Sequence, residues 1–260
     1  MHGIERHRCD SVASFIDLVA SIRARWTTAD HVLFDPWFRG QRHADWPLVP
    51  GLYRRGLAED EADMRMEFRR RALQLIPGHM PADDWQWYFL MQHHGAPTRL
   101  LDWTDSALIA LFFAVSSNDA GNPHVDCDAA VWMLDPWALN GAVLGDRRVY
   151  DAAWIKAAPY LPVLPSADLQ PALPIALDPP HFTARVAVQR SHLTVFGSRV
   201  HGLAHIANRH DRMLAKISIA RRAIPHIRID LGTCGIRDTS VFPDLEGLSR
   251  ELVRLYTEPA

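Results

Sequence analysis

The stretch Thr98–Ser117, TRLLDWTDSALIALFFAVSS, turns from polar to apolar within a few residues. Every residue from Ala107 to Val115 is apolar, so a helix here has no polar stripe for water and must be buried on all sides. Asp102 or Thr104 is placed to cap it. This helix is read as the centre of the core, and the elements on either side of it must build the layers that enclose it.

Toward the N-terminus, Ser11–Trp26 carries Val12, Phe15, Leu18, Val19 and Ile22 at helical spacing, with Ser11 as cap. Val32–Gly40 is rich in β-branched and aromatic residues and predicts a strand. Glu59–Leu75 predicts a helix stopped by Pro77-Gly78, and Asp83–Gln92 a short helix dense in Trp and Tyr. Toward the C-terminus, Ala129–Leu134, Arg185–Gly197 and Leu214–Ile219 predict strands, and Ala223–Cys234 and Leu245–Tyr256 helices. Seven prolines between 157 and 180 predict an irregular connection lying over a cleft. No regular βαβ alternation is present. The expected fold is therefore α+β, one domain over residues 1–260, its helix-rich N-terminal half packed on a mixed or antiparallel sheet.

The 260 residues are 48% hydrophobic and 22% charged, which excludes a disordered chain. Lys and Arg number 28 against 30 Asp and Glu, a net charge of −2, so affinity for a polyanion would have to come from local placement of basic groups. No apolar run is long enough to span a bilayer, and Met1–Asp10 lacks the apolar region of a secretory signal; no membrane association and a cytoplasmic location are expected. Cys9, Cys127 and Cys234 form no CxxC pair and read as reduced structural thiols.

Dinucleotide-binding GxGxxG, Walker, HExxH and GxSxG patterns are all missing, and the neighbouring His93-His94 has no third and fourth ligand at metal spacing. Trp37-Phe38-Arg39-Gly40-Gln41 is more informative. Arginine between an aromatic residue and glycine at a strand end suits a phosphate, with Gly40 permitting close backbone approach; the same Arg39 could instead pair with a carboxylate such as Asp102. Gln92–Thr104 concentrates polar groups before the buried helix. Unpaired burial of such groups is costly, so they either line a pocket or satisfy one another. His93, His94 and Arg99 are read as pocket residues, Asp102 and Thr104 as an internal knot. In Gln189–Thr194 alternate residues face opposite ways. Asp244 and Glu246 open the last helix, where acids complement the helix dipole.

The segments FRGQ, MQHHGAPTRLLDWTDSALIALFFAV, QRSHLTVFG and GIRDTSVFPDLEGL, in that order along nearly the whole chain, resemble the FRG domain, a bacterial and phage-associated family. More weakly, the aromatic-Arg-Gly segment resembles ADP-ribosyltransferases of the arginine-serine-glutamate type. In those, this arginine holds NAD and a late glutamate organises the ribose. That second resemblance implies NAD as substrate and an ADP-ribosyltransferase-like fold, with transfer to a nucleic-acid or protein acceptor, or hydrolysis, by a toxin or phage-defence effector that has an antitoxin partner. Arg39, Gln41, His94, Thr98, Arg99 and Gln189 are then candidates for holding the nucleotide, and Glu246, Asp244 and His93 for catalysis. The alternative from the same residues is a non-catalytic module for a nucleotide, nucleic acid or protein. A paired-carboxylate hydrolase would use Asp102 with Glu246.

Overall fold

A computed structural model describes residues 3–27, 35–76, 80–116, 127–152, 155–161, 171–179 and 191–257. The elements in chain order are β1 (Glu5–Cys9), α1 (Val12–Trp26), β2 (Trp37–Gln41), α2 (Gly51–Arg54), α3 (Glu61–Ala72), α4 (Asp84–His93), β3 (Leu100–Thr104) and α5 (Ala107–Val115). They continue with β4 (Ala129–Leu134), α6 (Pro136–Leu144), β5 (Tyr150–Asp151), a 3₁₀ turn (Ile155–Tyr160), β6 (Ile175–Asp178) and β7 (Ser191–Val195). The chain then forms α7 (Gly202–Ala207), β8 (Leu214–Ile219), α8 (Ile224–Thr233), α9 (Asp238–Val241) and α10 (Leu245–Thr257).

The eight strands among the described residues form one mixed sheet in the order β1-β8-β4-β2-β3-β7-β6-β5. The outer pairs β1–β8 and β5–β6 are parallel and the pairs between them antiparallel, which establishes the α+β class. The ladder narrows sharply at its middle. Five residue pairs join β2 to β4 and five join β3 to β7, but only Phe38↔Thr104 joins β2 to β3. Two half-sheets thus meet at one point and part beyond it.

Each half covers itself differently. On one face, Phe38, Val131, Met133 and Ile217 pack beneath α5, α1 and α8. Directly opposed residues share a face, so Thr104 lies on the Phe38 side, and with it Asp102 and Leu100 by strand alternation. There Leu100, Leu193 and Leu177 pack under Trp85, Tyr88 and Phe89 of α4. The opposite face buries Trp37, Trp103, Trp132 and Leu214 against Leu139 of α6 and Leu203 and Ile206 of α7.

Several sequence expectations shift. Helix α5 is buried as read, but Ser106 caps it, because 100–104 is a strand rather than an approach to the helix. The alternation in Leu100–Thr104 was hidden by two leucines in a row. Within the proline-crowded 157–180 connection, Ile175–Asp178 is a regular strand, paired with β5 and β7, and among the described residues of this connection Pro179 alone lines the central cleft. Residues 162–170, and most of the expected strands Val32–Gly40 and Arg185–Gly197 outside β2 and β7, lie outside the described residues. Among the described residues no helix is long and apolar enough to cross a membrane.

Candidate functional site

Where β2 and β3 part, a cleft of about 400 Å³ opens between the α5 and α4 layers. Phe38, Trp46, Phe89 and Phe113 supply aromatic wall, and Arg39, Arg42, Arg54, Gln92, His93, Asp102 and Ser116 supply polar groups. Three arginines face one aspartate in this lining, although the chain as a whole is slightly acidic. A concave, partly apolar site with a local excess of positive charge suits an anionic ligand with a flat apolar portion.

The Phe-Arg-Gly triplet divides three tasks. Phe38 is buried under α5 and makes the single bridge to β3. Gly40 lets α5 close onto the strand: a Cβ there would lie 2.1 Å from the Ala110 carbonyl oxygen and 2.6 Å from the Ala114 nitrogen. The close approach that glycine permits is therefore to a helix, not to a ligand. Arg39 emerges on the opposite face of β2, beside Trp132, and its Nη1 donates to the Asp102 carbonyl at 2.7 Å. A backbone oxygen left without a ladder partner by the parting strands must find another donor, and Arg39 provides it.

The guanidinium is otherwise sparsely held. Among the described residues Arg39 has no ion pair, and its buried Nε has no hydrogen-bond partner; nor has the buried Ser116 hydroxyl, also in the cleft lining. Burial pulls the Arg39 pKa below its usual value, Asp102 opposes this, and Arg54 adds to it by like-charge repulsion. The expected alternative, an Arg39–Asp102 carboxylate pair, is replaced by a bond to the backbone. The Asp102 carboxylate is exposed and accepts instead from Gln92 Nε2 at 2.7 Å, while Thr98 donates its hydroxyl to Gln92 Oε1. This Thr98–Gln92–Asp102 relay sets in place the one carboxylate that lines the cleft among the described residues.

The other sequence candidates separate cleanly. Arg99 is a correction: its side chain is inside the core. Nε donates to Glu61 Oε2 at 2.6 Å, Nη2 to the Tyr160 carbonyl at 2.6 Å and Nη1 to the Phe196 carbonyl at 3.1 Å. Burial alone would lower its pKa, but Glu61 and Tyr88 hold it above the usual value. Thr98 is likewise buried and acts through Gln92 rather than in the cleft. Gln41 lines the cleft, yet its amide is engaged, accepting from Trp132 Nε1 at 2.7 Å and donating to the Pro47 carbonyl at 3.4 Å. His93 lines the cleft. His94 caps α4, is exposed, touches His93 edge to face and is not part of the lining. Gln189 lies outside the described residues.

Neither late acid lines the cleft. Asp244 accepts from the Gly247 amide at 2.7 Å as a helix cap, and Glu246 sits 3.9 Å from Arg250 on the same helix. Asp102 and Glu246 therefore do not form a catalytic pair. Asp102 and Thr104, read as an internal knot, are hydrogen-bonded within the chain, Asp102 by Gln92 and Thr104 by the Ser106 amide, and both also line the cleft. Arg54 left no signal, since only folding brings α2 to the cleft.

Residues 35–122 match the family model described as FRG domain. The match covers the FRGQ and MQHHGAPTRLLDW segments and stops short of QRSHLTVFG and GIRDTSVFPDLEGL. No curated protein and no solved structure matches the chain.

Proposed function

We propose that the chain, which carries an FRG domain over residues 35–122, binds NAD in the cleft between β2 and β3 and cleaves its nicotinamide–ribose bond. ADP-ribose then passes to a macromolecular acceptor or to water, the chemistry of a toxin or phage-defence effector. The observation that carries this reading is Arg39, a guanidinium tethered by one backbone bond with its Nε unpaired, in an aromatic cleft holding one carboxylate.

Each group has a part in the chemistry. Arg39, with Arg54 nearby, would take the pyrophosphate, since a planar fork binds phosphate in two-point fashion. Phe89 and Phe113 would flank the nicotinamide. As the ring leaves with the bonding pair, positive charge grows on the ribose carbon, and a carboxylate aimed there stabilises it. Asp102, held by Gln92 in the cleft lining, would serve as this acid. Asp244 and Glu246 would not, and the catalytic role moves from them to Asp102. His93, in the same lining, would hydrogen-bond a ribose hydroxyl.

The test is nicotinamide release and transfer of labelled ADP-ribose with purified protein, NAD, and lysate or nucleic acid. Asp102→Asn should lower turnover by about 100-fold or more with binding little changed, as loss of one charge-stabilising group does. Arg39→Ala should abolish binding. The second reading is a non-catalytic nucleotide-binding module, favoured by the separation of both late acids from the cleft. Binding without nicotinamide release across several acceptors would establish it, and NAD binding undiminished by Arg39→Ala would refute both readings.

A further inference from the structure

Helix α10 is amphipathic, but it sits on the protein by its polar side. At 3.6 residues per turn, Gly247, Arg250, Glu251 and Arg254 point one way, and these make its contacts. Gly247 presses on the Phe242 carbonyl, where a Cβ would be 2.1 Å away. The Arg250 guanidinium lies 4.1 Å from the centre of the Phe242 ring. Glu251 accepts from the Thr239 amide at 3.0 Å, and Arg254 pairs with the buried Asp238 at 3.2 Å. Leu245, Leu248, Leu252, Leu255 and Tyr256 fall within about 100° of arc on the other side. They are 84, 44, 47, 62 and 88% exposed.

An amphipathic helix on a globular protein normally does the reverse. The outward stripe amounts to on the order of 600 Å² of apolar surface, at the upper end of what monomers expose and approaching one side of a stable interface. Its spacing, three then four then three residues, is the seam of a two-helix coiled coil. A second α10 laid antiparallel would bring the stripes together along their length and set each helix N-terminus beside the C-terminus of the other, so that the two dipoles attract.

We infer that α10 is a homodimerisation helix, its leucine stripe packing antiparallel against the same stripe of a second copy about a two-fold axis. Such an interface is self-complementary and closes at two chains. The inference stands apart from the reading of the cleft.

Sedimentation of the 260-residue chain should show a concentration-dependent monomer–dimer equilibrium between about 1 and about 100 µM, a range open to an interface of this size. Leu248→Glu with Leu252→Glu should weaken it at least about 30-fold, the loss of a central apolar contact, with unchanged circular dichroism and melting temperature, because both side chains face solvent in the monomer. For direction, Leu245→Cys and Tyr256→Cys proteins, each with Cys234→Ser, should form a disulfide-linked dimer when mixed and little when alone. A chain that stays monomeric at the highest concentration, dimers that survive the double glutamate variant, or cross-links in each single variant alone would each overturn the proposal; the first would assign the stripe to a different protein.

Discussion

Arg39, in β2, and Arg99, just before the neighbouring β3, are two arginines with opposite fates. Arg99 is saturated: Glu61 and the carbonyls of Tyr160 and Phe196 take its guanidinium, and its backbone amide donates to the Tyr88 hydroxyl. Arg39 has one backbone acceptor and an unpaired Nε. The difference lies in the sheet. Arg99 lies immediately before β3, where helices α3 and α4 supply acid and phenol, whereas Arg39 stands where the strands separate beside the Asp102 carbonyl. A saturated arginine staples a core, and an unsaturated one at a gap is available to a ligand.

The largest test removes the staple. Arg99→Ala should cost about 3–5 kcal/mol, because it leaves Glu61 charged and buried without its partner; Glu61→Ala should match it, and replacing both with apolar residues should cost less than either alone. Urea denaturation measures this, and a loss under about 1 kcal/mol would mean that the pair contributes little. Next comes Gly40→Ala, whose new methyl meets the α5 backbone. About 1–3 kcal/mol is expected, the usual cost of overpacking, and nucleotide binding should fall with it as β2 shifts.

Arg39→Ala sharpens the contrast from the other side: about 1 kcal/mol or less of stability, the worth of one hydrogen bond, with binding in the cleft lost. Should it destabilise as much as Arg99→Ala, Arg39 would be a second staple. Smaller still, Glu246→Ala should change stability by no more than about 0.5 kcal/mol, as an exposed intrahelical pair does, and leave turnover untouched.

The α5 core has its own pH signature. Burial first, and then the Asp10 carboxylate, push the Cys9 thiol from 9.0 up to about 11. A thiol with a raised folded pKa favours the folded state fully below the unfolded value, and that contribution is lost as pH climbs from 9.0 toward about 11. Melting temperature should fall across this window in wild type and less so in Cys9→Ala. Below it, Cys9 should resist alkylation under conditions that modify the exposed Cys234.

Local chemistry was legible where neighbours in the chain decide the outcome. Ser11 caps α1 and Asp83 caps α4, Gly235 takes a left-handed conformation just after α8, and the all-apolar run 107–115 is buried, each readable from residues a few positions apart. Strands β1, β3, β5 and β6 were missed because short strands are stabilised by partners that sequence does not display. The site was half legible: Arg39 and His93 stood out by residue type, while Arg99 and the acids of α10 were given roles that packing assigns elsewhere.

Sequence alone determined which segments could be helices, which helix had to be enclosed, and that a strand would carry Arg39, although this residue lies in the middle of β2 and not at the strand end the sequence suggested. Tertiary structure decided that this guanidinium would bridge to Asp102, 63 residues away, that Arg99 would be neutralised by Glu61, 38 residues away, and that α10 would turn its leucines outward. The physical reason is range. Caps and periodicity act through the nearest turn of chain, whereas the partner of a charge is set by whichever element folding brings within a few ångströms.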